Sequence, residues 1–84
     1  MHFVYLLLSE NDNGFYIGFT KDIDLRFQEH VNGLVESTKH RRPLKVAYYE
    51  AYSSEEKAGE RERKLKQFGS RYVGLLKRLG YKLR

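Results

Sequence analysis

The chain contains no cysteine. Disulfide cross-links and thiolate zinc sites are therefore excluded, and His2, His30 and His40 show no metal-ligand spacing. A chain without cysteine suits a reducing interior, so a cytoplasmic location is the expectation. Long hydrophobic runs are also missing. The longest, Phe3 to Leu8, is too short to cross a membrane, and no basic leader with a cleavage site accompanies it. No membrane partner is expected. Internal repeats, linkers and low-complexity tracts are absent as well, so residues 1–84 are expected to form a single domain.

What is present is a basic, aromatic chain. Lys and Arg number 16 against 11 Asp and Glu, a formal charge of +5. Much of the excess lies in the second half, at Lys39, His40, Arg41 and Arg42 and again at Arg61, Arg63, Lys64 and Lys66. A surplus of this kind favours a polyanionic partner, with nucleic acid ahead of a membrane surface. Seven Tyr and five Phe supply enough apolar surface to drive collapse and make disorder the poorer reading.

The pattern along the chain predicts β-β-α-β-α-α. Phe3 to Ser9 is apolar on both faces, as a central strand is. The turn-rich Glu10 to Gly14 links it to Phe15–Thr20, where Phe15, Ile17 and Phe19 alternate with Tyr16, Gly18 and Thr20. A helix is predicted over Asp22 to Asn32, stopped by Gly33, and a polar loop over Leu34 to Arg42. Pro43 opens a third strand, Leu44 to Tyr52. Ser53 and Glu56 form a capping-box pattern for a helix of about Ser54 to Gln67, and Ser70 is placed as the cap of a last helix ending before Gly80. The fold class is α+β: a three-stranded antiparallel sheet flanked by helices.

Helical phase then singles out three polar residues. Ile23, Phe27 and Leu34 set an inward stripe on the first helix; His30 falls within it and Arg26 on its edge. On the second helix Ala58, Leu65 and Phe68 set the inward face, and Glu62 lies among them. Charge turned inward is costly unless a partner or ligand receives it. Two plainer alternatives stand beside a functional one: a buried Arg26–Glu62 salt bridge, and a satisfied core histidine.

The functional alternative has both helices aiming charge at the sheet face of Tyr16, Gly18 and Thr20, with Gly18 allowing close approach. Such a group suits phosphodiester hydrolysis. Arg26 would neutralise phosphoryl oxygens, Glu62 would hold one divalent ion, Mg²⁺ or Mn²⁺, and Tyr16 or His30 would be the base. Histidine matches neutral pH better than tyrosine, whose free pKa is near ~10.

Taken in order, these residues resemble the GIY-YIG nuclease family, in particular its short stand-alone members and the catalytic domain of the nucleotide excision repair endonuclease subunit. Phe3-Val4-Tyr5 stands where the family reads Gly-Ile-Tyr, and Tyr16-Ile17-Gly18 matches the second half of the motif. Thr20, Arg26 and His30 fall at the family's strand-end Thr or Ser, its Arg, and a frequent His four residues on. Ser37-Thr38-Lys39, Arg41-Arg42-Pro43, Tyr48-Tyr49-Glu50 and the set Ala58, Arg61-Glu62, Leu65, Lys66 resemble the stand-alone subgroup. An Asn used late in the domain by some relatives has no counterpart after Asn32.

The resemblance implies a metal-dependent DNA endonuclease, acting on structured or damaged DNA in repair. Tyr5 and Tyr16 would line the site, with Tyr16 as base; Arg26 would bind the scissile phosphate and Glu62 would be the sole protein metal ligand. Gly18, Thr20, Lys39, Arg41, Arg42 and Lys66 are the expected nucleic-acid contacts. Relatives with known targets carry added DNA-binding domains, so a protein partner supplying specificity is a further expectation. The alternatives are a non-cutting nucleic-acid-binding module and a protein-interaction domain.

Overall fold

A computed structural model describes residues 1–81. The strands are β1 (His2–Ser9), β2 (Phe15–Thr20) and β3 (Leu44–Tyr52). The helices are α1 (Ile23–Val31), α2 (Glu55–Leu65) and α3 (Ser70–Arg78), so the chain order is β-β-α-β-α-α with a short 3₁₀ turn, Lys39–Arg41, before β3. The sheet is antiparallel in the order β2-β1-β3. β1 is central, and Val4, Tyr5, Leu6 and Leu7 are all buried, which is why it reads as apolar on both faces.

Each face of the sheet has its own core. Val4, Leu6 and Ile17 pack with Ala58 and Leu65 of α2 and Leu75 and Leu76 of α3. Tyr5, Leu7, Leu44 and Tyr16 pack with Ile23 and Phe27 of α1 on the other side. The two charged helices therefore lie on opposite faces, and the expectation that both aim at the Tyr16 face is corrected. Pleating is the cause: successive residues of β1 serve different helices.

Several local signals behave as their chemistry dictates. Asp22 caps α1 by accepting from Leu25 N–H. Gly33, at φ 75, ends it with Leu34 N–H donating to Glu29 C=O at 2.9 Å. Three signals sit differently. The cap of α2 is Ser54, one residue beyond the expected Ser53. Gly69, without a side chain to offer, is the residue before α3, and Ser70 is already helical. Leu34 and Phe68, expected in the inward stripes, are 73% and 59% exposed. Both lie past the ends of their helices, where the 3.6-residue period no longer applies.

The polar loop before β3 is also more ordered than expected. Its 3₁₀ turn is tied to the β1–β2 turn by Arg41, whose Nε lies 2.8 Å from Asp12 Oδ2. Arg41 C=O in turn accepts from Ser9 Oγ at 2.6 Å. Val35 and Thr38 of the same segment are buried.

Candidate active site

Tyr5 is the centre of the group. It sits mid-strand on β1, 3% exposed, opposite Gly18 of β2 and Tyr49 of β3. Gly18 matters for a reason the sequence left open. A Cβ there would run into the phenol carbon and oxygen of Tyr5, so the close approach Gly18 allows is that of the Tyr5 ring. Tyr16, opposite Leu7 and so on the same face, has its ring centroid 6.3 Å from Tyr5 and 5.2 Å from His30.

α1 brings Arg26 and His30 to this face, one turn apart. His30 is fully buried, and both its ring nitrogens are engaged: Nε2 lies 2.9 Å from Tyr5 Oη and Nδ1 2.7 Å from Thr38 Oγ1. Burial, reinforced by the Arg26 charge, pushes its pKa down to about 4, so the imidazole is neutral at pH 7. A neutral imidazole has one donor and one acceptor nitrogen. The Arg26 charge beside the Tyr5 phenol favours the tautomer in which Tyr5 O–H donates to His30 Nε2. Nδ1–H then donates to Thr38. Burial raises the Tyr5 pKa to about 12, against the opposing pull of Arg26.

Arg26 is half-exposed and pairs with Glu29 at 3.1 Å, whereas Glu62 pairs with Lys66 at 3.2 Å. The buried Arg26–Glu62 bridge is thus not formed. The plain alternative for His30, a satisfied core histidine, describes its hydrogen bonding correctly. Glu62 lies on α2 between buried Ala58 and Leu65, its side chain 22% exposed, and its charge reaches Tyr5, raising that phenol's pKa further. Tyr5, Tyr16 and His30 are therefore packed together with Arg26 beside them, and Glu62 acts on Tyr5 through its charge from α2.

Among the described residues no three His, Cys, Asp or Glu side chains gather as a metal cage. A single carboxylate still fits Mg²⁺, which keeps several waters and takes its remaining ligands from substrate phosphates. Glu62 has that character: partly exposed, with one oxygen held loosely by a surface lysine.

The expected nucleic-acid contacts are mostly engaged within the protein. Thr20 Oγ1 closes a turn with Asp22. Lys39 pairs with Glu36 at 3.0 Å, and Arg42 donates to Lys39 C=O and Val31 C=O. Arg41 grips Asp12 with both Nε and Nη2, holding that carboxyl well below the usual range. Two features had no clear sequence signal. Thr38 was visible only as part of a likeness, since nothing marks a loop threonine as buried. Glu50 accepts from Tyr48 Oη at 2.6 Å, Tyr52 Oη at 2.7 Å and Arg61 Nε at 2.8 Å. The i, i+2, i+4 spacing on β3 could have suggested that cluster.

Comparison with known proteins shows the family. Residues 1–75 match the GIY-YIG catalytic domain. The chain belongs to the GIY-YIG family. A UPF0213 protein of Staphylococcus epidermidis is 38% identical over 68 residues, covering 80% of this chain and 82% of that one. A UPF0213 protein of Staphylococcus aureus is 35% identical over the same shares. The solution structure of a UPF0213 protein from Bacillus halodurans has a TM-score of 0.59 and 31% identity, covering 94% of this chain and 84% of its own. The GIY-YIG domain marks a nuclease family, and the UPF0213 relatives are small proteins of similar length. No helix among the described residues is long and apolar enough to cross a membrane.

Proposed function

We propose that this GIY-YIG protein is a divalent-metal-dependent endonuclease that hydrolyses phosphodiester bonds of DNA. The observation that carries the reading is the Tyr5 cluster. A buried neutral His30 orients the Tyr5 phenol toward Arg26, with Tyr16 alongside and the Glu62 charge felt from α2. The +5 charge supports a polyanionic substrate, and the absence of cysteine fits work in the cytoplasm.

The residues divide the chemistry among them. Arg26 offers a forked set of N–H donors to the phosphoryl oxygens, where negative charge grows in the transition state. Tyr5 can only accept on its open side, so it orients an attacking water or the Arg26 fork and does not protonate the phosphate. Tyr16, as its phenolate after giving its own proton to solvent, would receive the proton of that water. His30 is a positioning residue, because both nitrogens are occupied and no water reaches it. Water oxygen bonds to phosphorus, the bridging P–O bond breaks, and the leaving oxygen takes up a proton. Glu62 would hold Mg²⁺ or Mn²⁺, which supplies Lewis-acid stabilisation of the phosphoryl and leaving oxygens.

The test is cleavage of a panel of branched, nicked, single- and double-stranded DNAs with Mg²⁺ or Mn²⁺. Wild type is expected to cut at least one substrate and Glu62→Gln to lose on the order of 10²-fold or more. Equal cleavage by the two proteins overturns the assigned mechanism.

A further inference from the structure

Lys57, Arg61, Lys64, Glu60 and Arg71 line an open groove of about 280 Å³ between α2 and the start of α3. Lys57, Arg61 and Lys64 follow one another at i, i+4 and i+7, a stripe turned by about 100° from the Ala58–Glu62–Leu65 stripe. The groove is thus a surface separate from the Tyr5 cluster. Four cations face Glu60, and Arg61 is also held by Glu50 on β3. Two positive charges remain uncompensated, and among the described residues Lys57 and Arg71 have no carboxylate partner.

We propose that this groove is a second phosphodiester-binding site, gripping nucleic-acid backbone away from the bond being cut. Arg61 is already ordered: Glu50, saturated by Tyr48 and Tyr52, fixes its guanidinium, so little side-chain entropy is lost on contact with an anion. Lys64 is tied to Glu60 by an exposed pair at 2.8 Å, a bridge weak enough to be exchanged for phosphate. The stripe runs about 10 Å along the helix axis, the rise of about three nucleotides of a DNA strand. A compact anion would satisfy one of these cations; a repeating one satisfies all of them. The proposal rests on the nuclease reading only for the identity of that polyanion.

The test is fluorescence anisotropy of a short labelled DNA duplex in EDTA, across a salt series. Each phosphate contact contributes about 0.9 to the slope of log K against log salt, so Lys57→Ala/Arg71→Ala is expected to lower it by about 1.8. A control with the same charge loss elsewhere, Lys45→Ala/Lys77→Ala, should move it far less. An unchanged slope in the groove variant overturns the groove, whatever the cleavage result, and so does an equal drop in the control. A reduced slope in a protein that never cuts supports the groove and removes the nuclease reading. Failure of wild type to bind DNA while it binds an acidic protein overturns both.

Discussion

The ring of Tyr5 lies over Gly18, its partner on the neighbouring strand, in space that any side chain at 18 would occupy. Gly18→Ala is therefore expected to push the phenol off His30. Overpacking of this kind costs about 1–3 kcal/mol, read as a lowered melting temperature. Cleavage should fall with it. A variant that keeps both stability and activity would show that the ring has slack the geometry does not suggest.

Stability should depend on pH through His30. Its folded pKa of about 4 lies below the ordinary 6.5, so between those values the unfolded chain binds the extra proton. The contribution is whole above about pH 6.5 and is lost as pH falls toward about 4, by roughly 3 kcal/mol. Urea titrations of wild type and His30→Gln at pH 7 and pH 5 check this. Wild type should lose most of the difference, while the variant, with nothing to titrate at 30, should lose little. Positioning also predicts a further readout: the variant's cleavage should drop without displacement of the pH–rate profile.

Glu50 lies at the meeting point of Tyr48, Tyr52 and Arg61, and its side chain is only 16% exposed. Burial opposes ionisation there, but Arg61 and the two phenols outweigh it and hold the pKa below the usual carboxylate value. Glu50→Gln should cost roughly 2 kcal/mol, because it leaves the Arg61 charge half-buried without its partner. Chemical denaturation at pH 7 measures it. The difference from wild type should shrink as pH falls through the carboxylate range, where wild-type Glu50 protonates as well.

The sequence disclosed the sheet and the site unevenly. Central β1, the alternation of Phe15–Thr20 and the Gly33 stop are local signals, and the structure follows them. So is the pairing of Arg26 with His30, fixed by one helical turn. What escaped was the side of the sheet on which α2 would pack. Helical phase tells which residues of α2 point inward, but not against which face, and that choice set Glu62 apart from the α1 face. Leu34 and Phe68 misled for a related cause: a hydrophobic side chain continues a pattern on paper after the helix that gave it meaning has ended. Tyr5 was visible only through the family motif, since a buried tyrosine in a central strand looks like ordinary core. The basic segment Lys39–Arg42 looked like a surface for DNA because charge in a sequence does not reveal whether an internal acceptor, such as Asp12, is waiting for it.

That last contact gives the hairpin tip an unexpected part. Asp12 holds Arg41, Arg41 closes the 3₁₀ turn onto Thr38 C=O, and the Thr38 hydroxyl meets His30, which meets Tyr5. Each link is short, and the two inner residues are walled off from water. An aspartate in an outer turn, with no reach toward any substrate, is thereby a foundation stone for a phenol in the middle of the sheet. Loop grafting in this scaffold can vary the tip's length and neighbours freely only while that carboxylate keeps its grip.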